Sequence, residues 1–372
     1  MPLQRLLLLV AIILPLKTWA TASDAPSRSP TEKRLEHIAV WVADVDKTAA
    51  FLDRSLGWRR HPLQFGVRDD SAVFGGMKLA FVDANGFWLE LVQPTTPGPG
   101  MDFLKQKGSG SLVELDFFVD DFDKSVALLK SKGVEPFGMD GRPMKEGGLL
   151  REWAIIDGKK VSGDERLAYL PMEVARGTSI ELGWEYPSGV VVYRDKSWSS
   201  GQRTPRSAPH IDHVVVAATD LEKTAEVYTR ILDLTRLPPT PGLRRDWMGL
   251  TETSQAWIKS NGSVWIDLAA PSGATGEKIM HDSRFGDGAI MELAVEVSDI
   301  DSFYDAMKAA GILMTAGDNS PLPAHSKSVL TPTGDRYNYF PLDRSEGMRI
   351  MVVQRSKSAK GALTMRDHAA GG

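Results

Sequence analysis

Seven side chains able to offer a hard donor to a metal interrupt otherwise apolar runs of this sequence. They are His37 in HIAVWV, Glu90 in WLELV, Glu114 in ELDFFV, Glu181 in SIELGW, His213 in HVVVA, Asp267 in WIDLA and Glu292 in ELAVEV. Met351, in RIMVV, holds an eighth place of the same kind. A lone buried His is more often a core residue bonded to a carbonyl, and a lone buried Glu is more often half of an ion pair. Several carboxylates converging on one cavity are a different matter. Unpaired buried charge is costly, so such a group needs shared protons or a cation. A divalent metal meets that need, with bonds of roughly 2.0–2.2 Å to imidazole nitrogen or carboxylate oxygen.

The elements that must position these residues come from an internal repeat. Four segments share one template of apolar strand, acidic turn and amphipathic helix. They are HIAVWVADVDKTAAFLDRSLGW from His37, ELDFFVDDFDKSVALLKSKGV from Glu114, HVVVAATDLEKTAEVYTRILDL from His213 and ELAVEVSDIDSFYDAMKAAGI from Glu292. Aligned without gaps, Asp44, Asp121, Asp220 and Asp299 fall at one position. An Asp just before a helical period reads as an N-cap, because its carboxylate accepts from the free amides of the first turn. The second halves repeat too: NGFWLELVQP matches NGSVWIDLAAP, and GTSIELGW matches GMRIMVVQ. The chain is therefore a duplicated pair of units, each reading as a strand, a helix and two or three further strands. SSGQRTPRSAP (199–209) joins the pairs, and PTTPGPG has the smaller linking role inside the first.

Strand period assigns faces. In HIAVWV, Ile38, Val40 and Val42 share one side, suited to lie beneath the helix, while His37, Ala39 and Trp41 share the other. Glu90 opposes Leu89 and Leu91, so His37 and Glu90 can face one cavity. Asp116 has the parity of Glu114, and Glu296 that of Glu292; a water-facing place at the cavity mouth is the reading preferred for both. Trp41, Trp88 and Phe118 have cavity parity and either bound an apolar or aromatic substrate or fill core. Three other features carry no site. GSGSLVEL and GDGAIMEL lead into strands, unlike phosphate loops. His61 and His325 fall in loops, and His210 falls in the linker, where its H-x-x-H spacing to His213 on a strand would put the rings on opposite faces.

The bulk composition narrows the function classes. The 372 residues are 42% hydrophobic and 25% charged with a formal net charge of −4, and carry no basic-aromatic stripe, which argues against nucleic acid as a partner. Without cysteine there is no disulfide, thiolate site or thiol nucleophile. One Arg, the apolar run Leu6 to Leu16 and Ala20-Thr21-Ala22 read as a signal peptide over residues 1–22. The run is too short for a spanning helix, which needs about 20 apolar residues. The expectation is a secreted or periplasmic protein that leaves the membrane once this segment is cleaved. Residues 23–33 read as an unstructured lead-in, 34–190 as the first domain, 191–209 as linker, 210–355 as the second domain and 356–372 as an unstructured tail.

The H-x-A-V-x-V-x-D strand and the L-E-L-x-x-P strand within a βαβββ repeat resemble the vicinal-oxygen-chelate superfamily. That superfamily includes glyoxalase I, methylmalonyl-CoA epimerase, extradiol dioxygenases and bleomycin-resistance proteins. LELVQPTTPGPG through FLKQKGSGSLVELDFFVDDFD is similar to the epimerase-like and glyoxalase-like branch, and GRPMKEGGLLREW resembles a glyoxalase-like subtype. The resemblance implies an α+β fold of four βαβββ modules paired into two half-open barrels. It implies one divalent ion (Zn, Mn, Fe, Co or Ni) on His37, Glu90, Glu114 and Glu181, and possibly a second on a weaker site of His213, Asp267 and Glu292. Glu181 would be the catalytic base, with Trp41, Trp88, Asp116 and Phe118 around the substrate. Glyoxalase I and the epimerase usually have His or Gln where Glu114 and Glu292 stand, so the sequence departs from their pattern there. The implied activity is that of an isomerase or lyase acting on a small oxygenated substrate through a metal-stabilised enolate. The alternatives are a non-catalytic binding protein of the bleomycin-resistance kind and an extradiol-type dioxygenase, although neither half supplies the two histidines of the latter. A monomer suffices, because each pair of modules is built within one chain.

Overall fold

The computed structural model describes residues 32–67, 75–138, 142–144, 147–185, 208–237, 240–241, 252–260, 264–272, 288–331 and 334–356. The expected signal peptide, nearly all of the lead-in, residues 191–207 of the linker and the tail beyond Ser356 lie outside the described residues. Lys33, the last residue of the expected lead-in, is buried 3.7 Å from Asp233.

Each module follows the repeat. The first runs β1 (Arg34–Trp41), α1 (Val45–Leu56), β2 (Arg59–Arg60), β3 (Gln64–Val67), β4 (Met77–Asp83) and β5 (Trp88–Pro94). A helix that the repeat does not announce, α2 (Pro99–Lys107), begins inside the PTTPGPG link with Pro99 in its first turn, where a missing N–H costs nothing. The second module is β6 (Ser111–Phe118), α3 (Phe122–Ser131), β7 (Leu149–Ile156), β8 (Lys159–Tyr169) and β9 (Ser179–Glu185). The third is β10 (His210–Ala217), α4 (Leu221–Glu226) continuing as a π-helical turn over Val227–Ile231, β11 (Thr235–Arg236), β12 (Thr240–Pro241), β13 (Glu252–Lys259) and β14 (Trp265–Ser272). The fourth is β15 (Ile290–Glu296), α5 (Ile300–Ala309), β16 (Val329–Leu330), β17 (Arg336–Tyr339) and β18 (Ile350–Gln354).

The four repeated aspartates are the N-caps. Asp44 accepts from the amides of Asp46 and Lys47, Asp121 from Lys124, Asp220 from Lys223, and Asp299 from Asp301 and Ser302. Two residues on, each helix carries an acid bound to an arginine of its own module. The pairs are Asp46–Arg60, Asp123–Arg166, Glu222–Arg236 and Asp301–Arg336. Each cap thus fixes where a helix starts, and each bridge ties that start to a strand.

The modules pair into two curled sheets, the expected α+β architecture. In the first the order is β2-β4-β3-β7-β8-β9-β6-β1-β5, and β4 returns to pair with β5. In the second it is β11-β13-β14-β10-β15-β18-β17-β16, with β12 on β13. At the centre of each, the leading strands of two modules run antiparallel, β1 beside β6 and β10 beside β15. The helix-facing residues Ile38, Val40 and Val42 join one large core that also takes in Val214 and Val216. Phe51 of α1 meets Phe340 edge-on at 5.4 Å within it. Ala39, Trp41 and Trp88 belong to a separate cluster on the concave face of the first sheet, so strand period assigned both sides of β1 correctly.

One local feature departs from period 2. Both central ladders carry a bulge near their start, between Leu35 and His37 in β1 and between Ile211 and His213 in β10. A bulge adds a residue and rotates the strand beyond it. His210 opens β10 rather than lying in a linker, and its register partner Glu296 has the same parity as Ala294, the partner of His213. The two histidines therefore share a face, contrary to simple alternation.

Candidate metal centre in the first domain

The central ladder of the first sheet sets the acidic residues around His37. Across β1–β6, His37 faces Asp116 and Ala39 faces Glu114; across β1–β5, Ala39 faces Glu90; across β6–β9, Asp116 faces Glu181. Ala39 stands where a larger side chain would separate Glu90 from Glu114. His37 Nε2 lies 3.0 Å from Asp116 Oδ2 and 3.5 Å from Glu90 Oε2. Glu114 accepts a 3.0 Å hydrogen bond from the Ser179 hydroxyl and is hydrogen-bonded to Glu181, to which the Tyr169 hydroxyl donates. Of the four side chains expected as ligands, His37 thus meets Glu90 and Glu114 meets Glu181, two pairs joined at one site by the His37–Asp116 contact.

Two further acids enter it. Asp116, Glu165 and Glu181 are all buried, and an oxygen from each lies within 4.8 Å of the others. Asp116 is only 2% exposed, so it is an inner residue of the site and not the water-facing one that parity alone favoured. Glu165 went unnoticed in the sequence, yet a signal for it exists. ERLAYLP (165–171) aligns with DRYNYFP (335–341), and the matched arginines, Arg166 and Arg336, make the matched helix bridges. On β8, Glu165 and Tyr169 then share parity.

Space for the triad comes from Gly183. A Cβ there would lie 3.2 and 3.3 Å from the two Asp116 oxygens and 3.4 Å from Glu165 Oε1. Its backbone is not left-handed, so the glycine serves close approach rather than an unusual φ.

The electrostatics arise from crowding. Burial alone would strip the proton from His37, but Asp116 and Glu90 outweigh it and push the imidazole up to about 10. Burial, with the charges of Glu90 and Asp116, pushes Glu114 up to about 7 against the hydrogen bonds of Glu181 and Ser179. Burial, then the charges of Glu114, Asp116 and Glu165, hold Glu181 well above the usual carboxylate range. Tyr169 is raised by burial and by the same glutamates. These are the signatures of acids pressed together, holding protons that a cation would displace. The donor set of one imidazole and several carboxylates fits a divalent ion of the Mn, Fe, Co, Ni or Zn series.

Beside the acids lies an aromatic wall. Trp41 and Trp88 are each 9% exposed and cluster with Phe65 and Phe81; Phe81 meets the His37 ring edge-on at 6.0 Å, and Trp41 packs 5.0 Å from Phe103. His61, set aside as a loop residue, is buried against this wall, 6.2 Å from Trp88. Phe118 is buried with the Arg34 guanidinium 5.5 Å over its ring.

The second sheet repeats the ladder with different contents. His213 faces Ala294 where His37 faces Asp116, and Met351 takes the place of Glu181. His213 Nδ1 lies 2.5 Å from Asp212 Oδ2, and Arg355 also binds Asp212. Asp267 accepts from Gln255 Nε2 at 2.6 Å. Glu292 accepts from the Tyr339 hydroxyl at 3.0 Å and from Arg349 Nε at 3.2 Å. Glu296 is half-buried at the rim, with Arg355 Nε at 3.2 Å and His210 Nε2 at 3.6 Å.

Comparison with known proteins agrees with this architecture. Residues 36–149 and 212–330 match the model of the Glyoxalase/Bleomycin resistance protein/Dioxygenase superfamily. No curated protein matches the chain in sequence. Among solved structures, a triple mutant of 4-hydroxymandelate synthase from Streptomyces coelicolor is 17% identical, covers 92% of this chain and all of its own, and superposes with a TM-score of 0.56. A xylose isomerase-like TIM barrel/4-hydroxyphenylpyruvate dioxygenase fusion protein is 15% identical over 92% of this chain and 53% of its own, with a TM-score of 0.48. Methylmalonyl-CoA epimerase from Mycobacterium tuberculosis is 21% identical over 39% of this chain and 87% of its own, with a TM-score of 0.32. At 17% identity the likeness to the synthase is one of fold.

Proposed function

The chain belongs to the Glyoxalase/Bleomycin resistance protein/Dioxygenase superfamily, and on that footing we propose that its first domain is a divalent-metal-dependent isomerase or lyase for a small oxygenated substrate. The observation that carries this reading is the buried triad Asp116, Glu165 and Glu181 meeting His37 through Asp116. A bound divalent ion would supply Lewis acidity, polarising adjacent substrate oxygens so that a neighbouring C–H becomes acidic. Asp116, Glu165 and Glu181 are suited to hold it, with His37 reaching them through Asp116 and with Glu90 and Glu114 lying beside them. Glu181 is suited to move the proton: its carboxyl is raised, Tyr169 orients it, and Glu114 beside it can share the proton. The wall of Trp41, Phe65, Phe81 and Trp88 excludes water on one side and offers an apolar surface to the rest of the substrate.

The leader sequence supports export as part of the proposal. Among the described residues no helix is long and apolar enough to cross a membrane.

The test is solvent deuterium exchange. Protein loaded with Co²⁺ or Mn²⁺ is incubated in D₂O with a panel of 2-oxo and α-hydroxycarbonyl compounds, and the α-carbon signals are followed by NMR. Exchange that needs the metal and is lost in Glu181→Gln, with the fold intact by circular dichroism, is the expected result. Binding of these compounds without exchange would favour the sequestering alternative, and exchange unaffected by Glu181→Gln would remove Glu181 from its role.

A further inference from the structure

The second domain does not fit the ion that its family implies, and the misfit has a specific form. We infer that the guanidinium of Arg349 stands in for the cation there, so that the chain binds one divalent ion and not two. This goes beyond the reading of the first domain and concerns different residues.

The two central ladders can be compared place by place. Leu293 pairs with Ile350 as Leu115 pairs with Ile180, so Arg349 occupies the place of Ser179. Ser179 gives Glu114 one neutral hydrogen bond. Arg349 gives Glu292 a charged one at 3.2 Å, packs 4.6 Å over the Tyr339 ring and reaches the Gly317 carbonyl with its Nη2. Both Arg349 and Glu292 are buried, at 9% and 0% exposed. Tyr339 takes the place of Tyr169, but its hydroxyl goes to Glu292, because Met351 has replaced the glutamate that Tyr169 serves.

The other expected ligands are likewise engaged by protein groups, Asp267 by Gln255 and His213 by Asp212, which Arg355 also holds. Where the first domain has Gly183 and an open triad, the second has Val353 in a cluster of Trp257, Ala294, Tyr337, Tyr339 and Met351. A buried carboxylate needs a positive partner. In the first domain His37 faces Asp116 and Glu90 while a neutral hydroxyl faces Glu114; in the second Arg349 brings a full positive charge to the matching Glu292. Glu292 is thereby held by a cation of the chain itself, and the second face serves as a scaffold half beside a working half.

The test is ion stoichiometry in full-length protein, with Co²⁺ as the probe and elemental analysis after removal of excess metal. Wild type is expected to hold one ion, lost in Glu114→Gln/Glu181→Gln and kept in Glu292→Gln. Restoring the first domain's residues by Arg349→Ser with Met351→Glu is expected to raise the count to two, and to make thermal stability depend on Co²⁺ in the Glu114→Gln/Glu181→Gln background. Two ions in wild type, with one lost in Glu292→Gln, would overturn the inference while leaving the first site standing. A folded Arg349→Ser/Met351→Glu protein that gains no ion would also overturn it. No ion in wild type but one in that double variant would uphold the inference and overturn the proposal for the first domain.

Discussion

His37 Nε2 lies 3.0 Å from Asp116 Oδ2 across the β1–β6 ladder, and that contact joins the two halves of the acidic site. On one side His37 reaches Glu90; on the other Asp116 reaches Glu165 and Glu181. The first module supplies His37 and Glu90, and the second supplies Glu114, Asp116, Glu165 and Glu181, the last three forming the buried triad by themselves. Pairing the modules through their leading strands makes one site of both.

Removing the carboxylate at this junction isolates its effect on the ring. In metal-free protein Asp116→Asn is expected to lower the His37 titration from about 10 toward the ordinary histidine range, because Asp116 is the largest influence raising it. Imidazole proton shifts followed by NMR across pH check this. An unmoved titration would mean that Glu90 alone sets the ring's charge.

Proton linkage gives a pH dependence with a definite sign. Glu114 is raised to about 7 and His37 to about 10, so both hold protons more tightly folded than unfolded. Their contribution is fully present below the unfolded values and is lost as pH rises, through the 4.5–7 window for Glu114 and 6.5–10 for His37. Metal-free protein is therefore expected to be less stable to urea at about pH 9 than at about pH 5 on account of these groups. Affinity for Co²⁺ moves the opposite way and climbs over the same range, since each proton displaced adds up to about a factor of ten per pH unit.

Gly183 is expected to resist enlargement. Gly183→Ala puts a Cβ 3.2 Å from Asp116 Oδ1 and 3.4 Å from Glu165 Oε1, costing about 1–3 kcal/mol if the strands must shift. Co²⁺ affinity is expected to fall at the same time, since the triad is displaced. Denaturation and metal titration of one variant separate the two effects. Unchanged affinity would place the ion away from Asp116 and Glu165.

The helix bridges give a surface control. Asp301 is held below its usual range by Arg336, so its contribution exists above the unfolded carboxylate value and is lost as pH falls through the folded one. Asp301 is 44% exposed, so solvent screening limits the pair. Asp301→Asn is expected to cost about 0.2–1 kcal/mol at low salt and less at high salt, by thermal melts. Removing the cap with Asp299→Ala is expected to lower the melting temperature with little dependence on salt, because two first-turn amides lose their acceptor.

Much of this was legible because the repeat multiplies weak signals. One Asp before a helix says little, whereas four at one aligned place gave all four caps. Period 2 placed His37, Trp41 and Trp88 on the concave side and Ile38, Val40 and Val42 in the core. It failed at the bulges, where one extra residue brings His210 and His213 to the same face, because hydrogen-bond register is not written in side-chain alternation. Glu165 was missed because its strand was read without its partner DRYNYFP. Asp116 was underrated because parity assigns a face but not a depth; it is the curl of the sheet that buries it.

On the proposed reading, the first concave face is built around a divalent cation. The most direct test is Co²⁺ content and visible absorption of repleted wild-type protein beside Glu90→Ala and Glu181→Ala. About one tightly held ion per chain is expected in wild type, with a ligand-field spectrum that weakens or disappears in both variants. Wild-type protein that retains no stoichiometric ion after repletion, or variants that hold it as tightly as wild type, would mean that this face is not a metal centre.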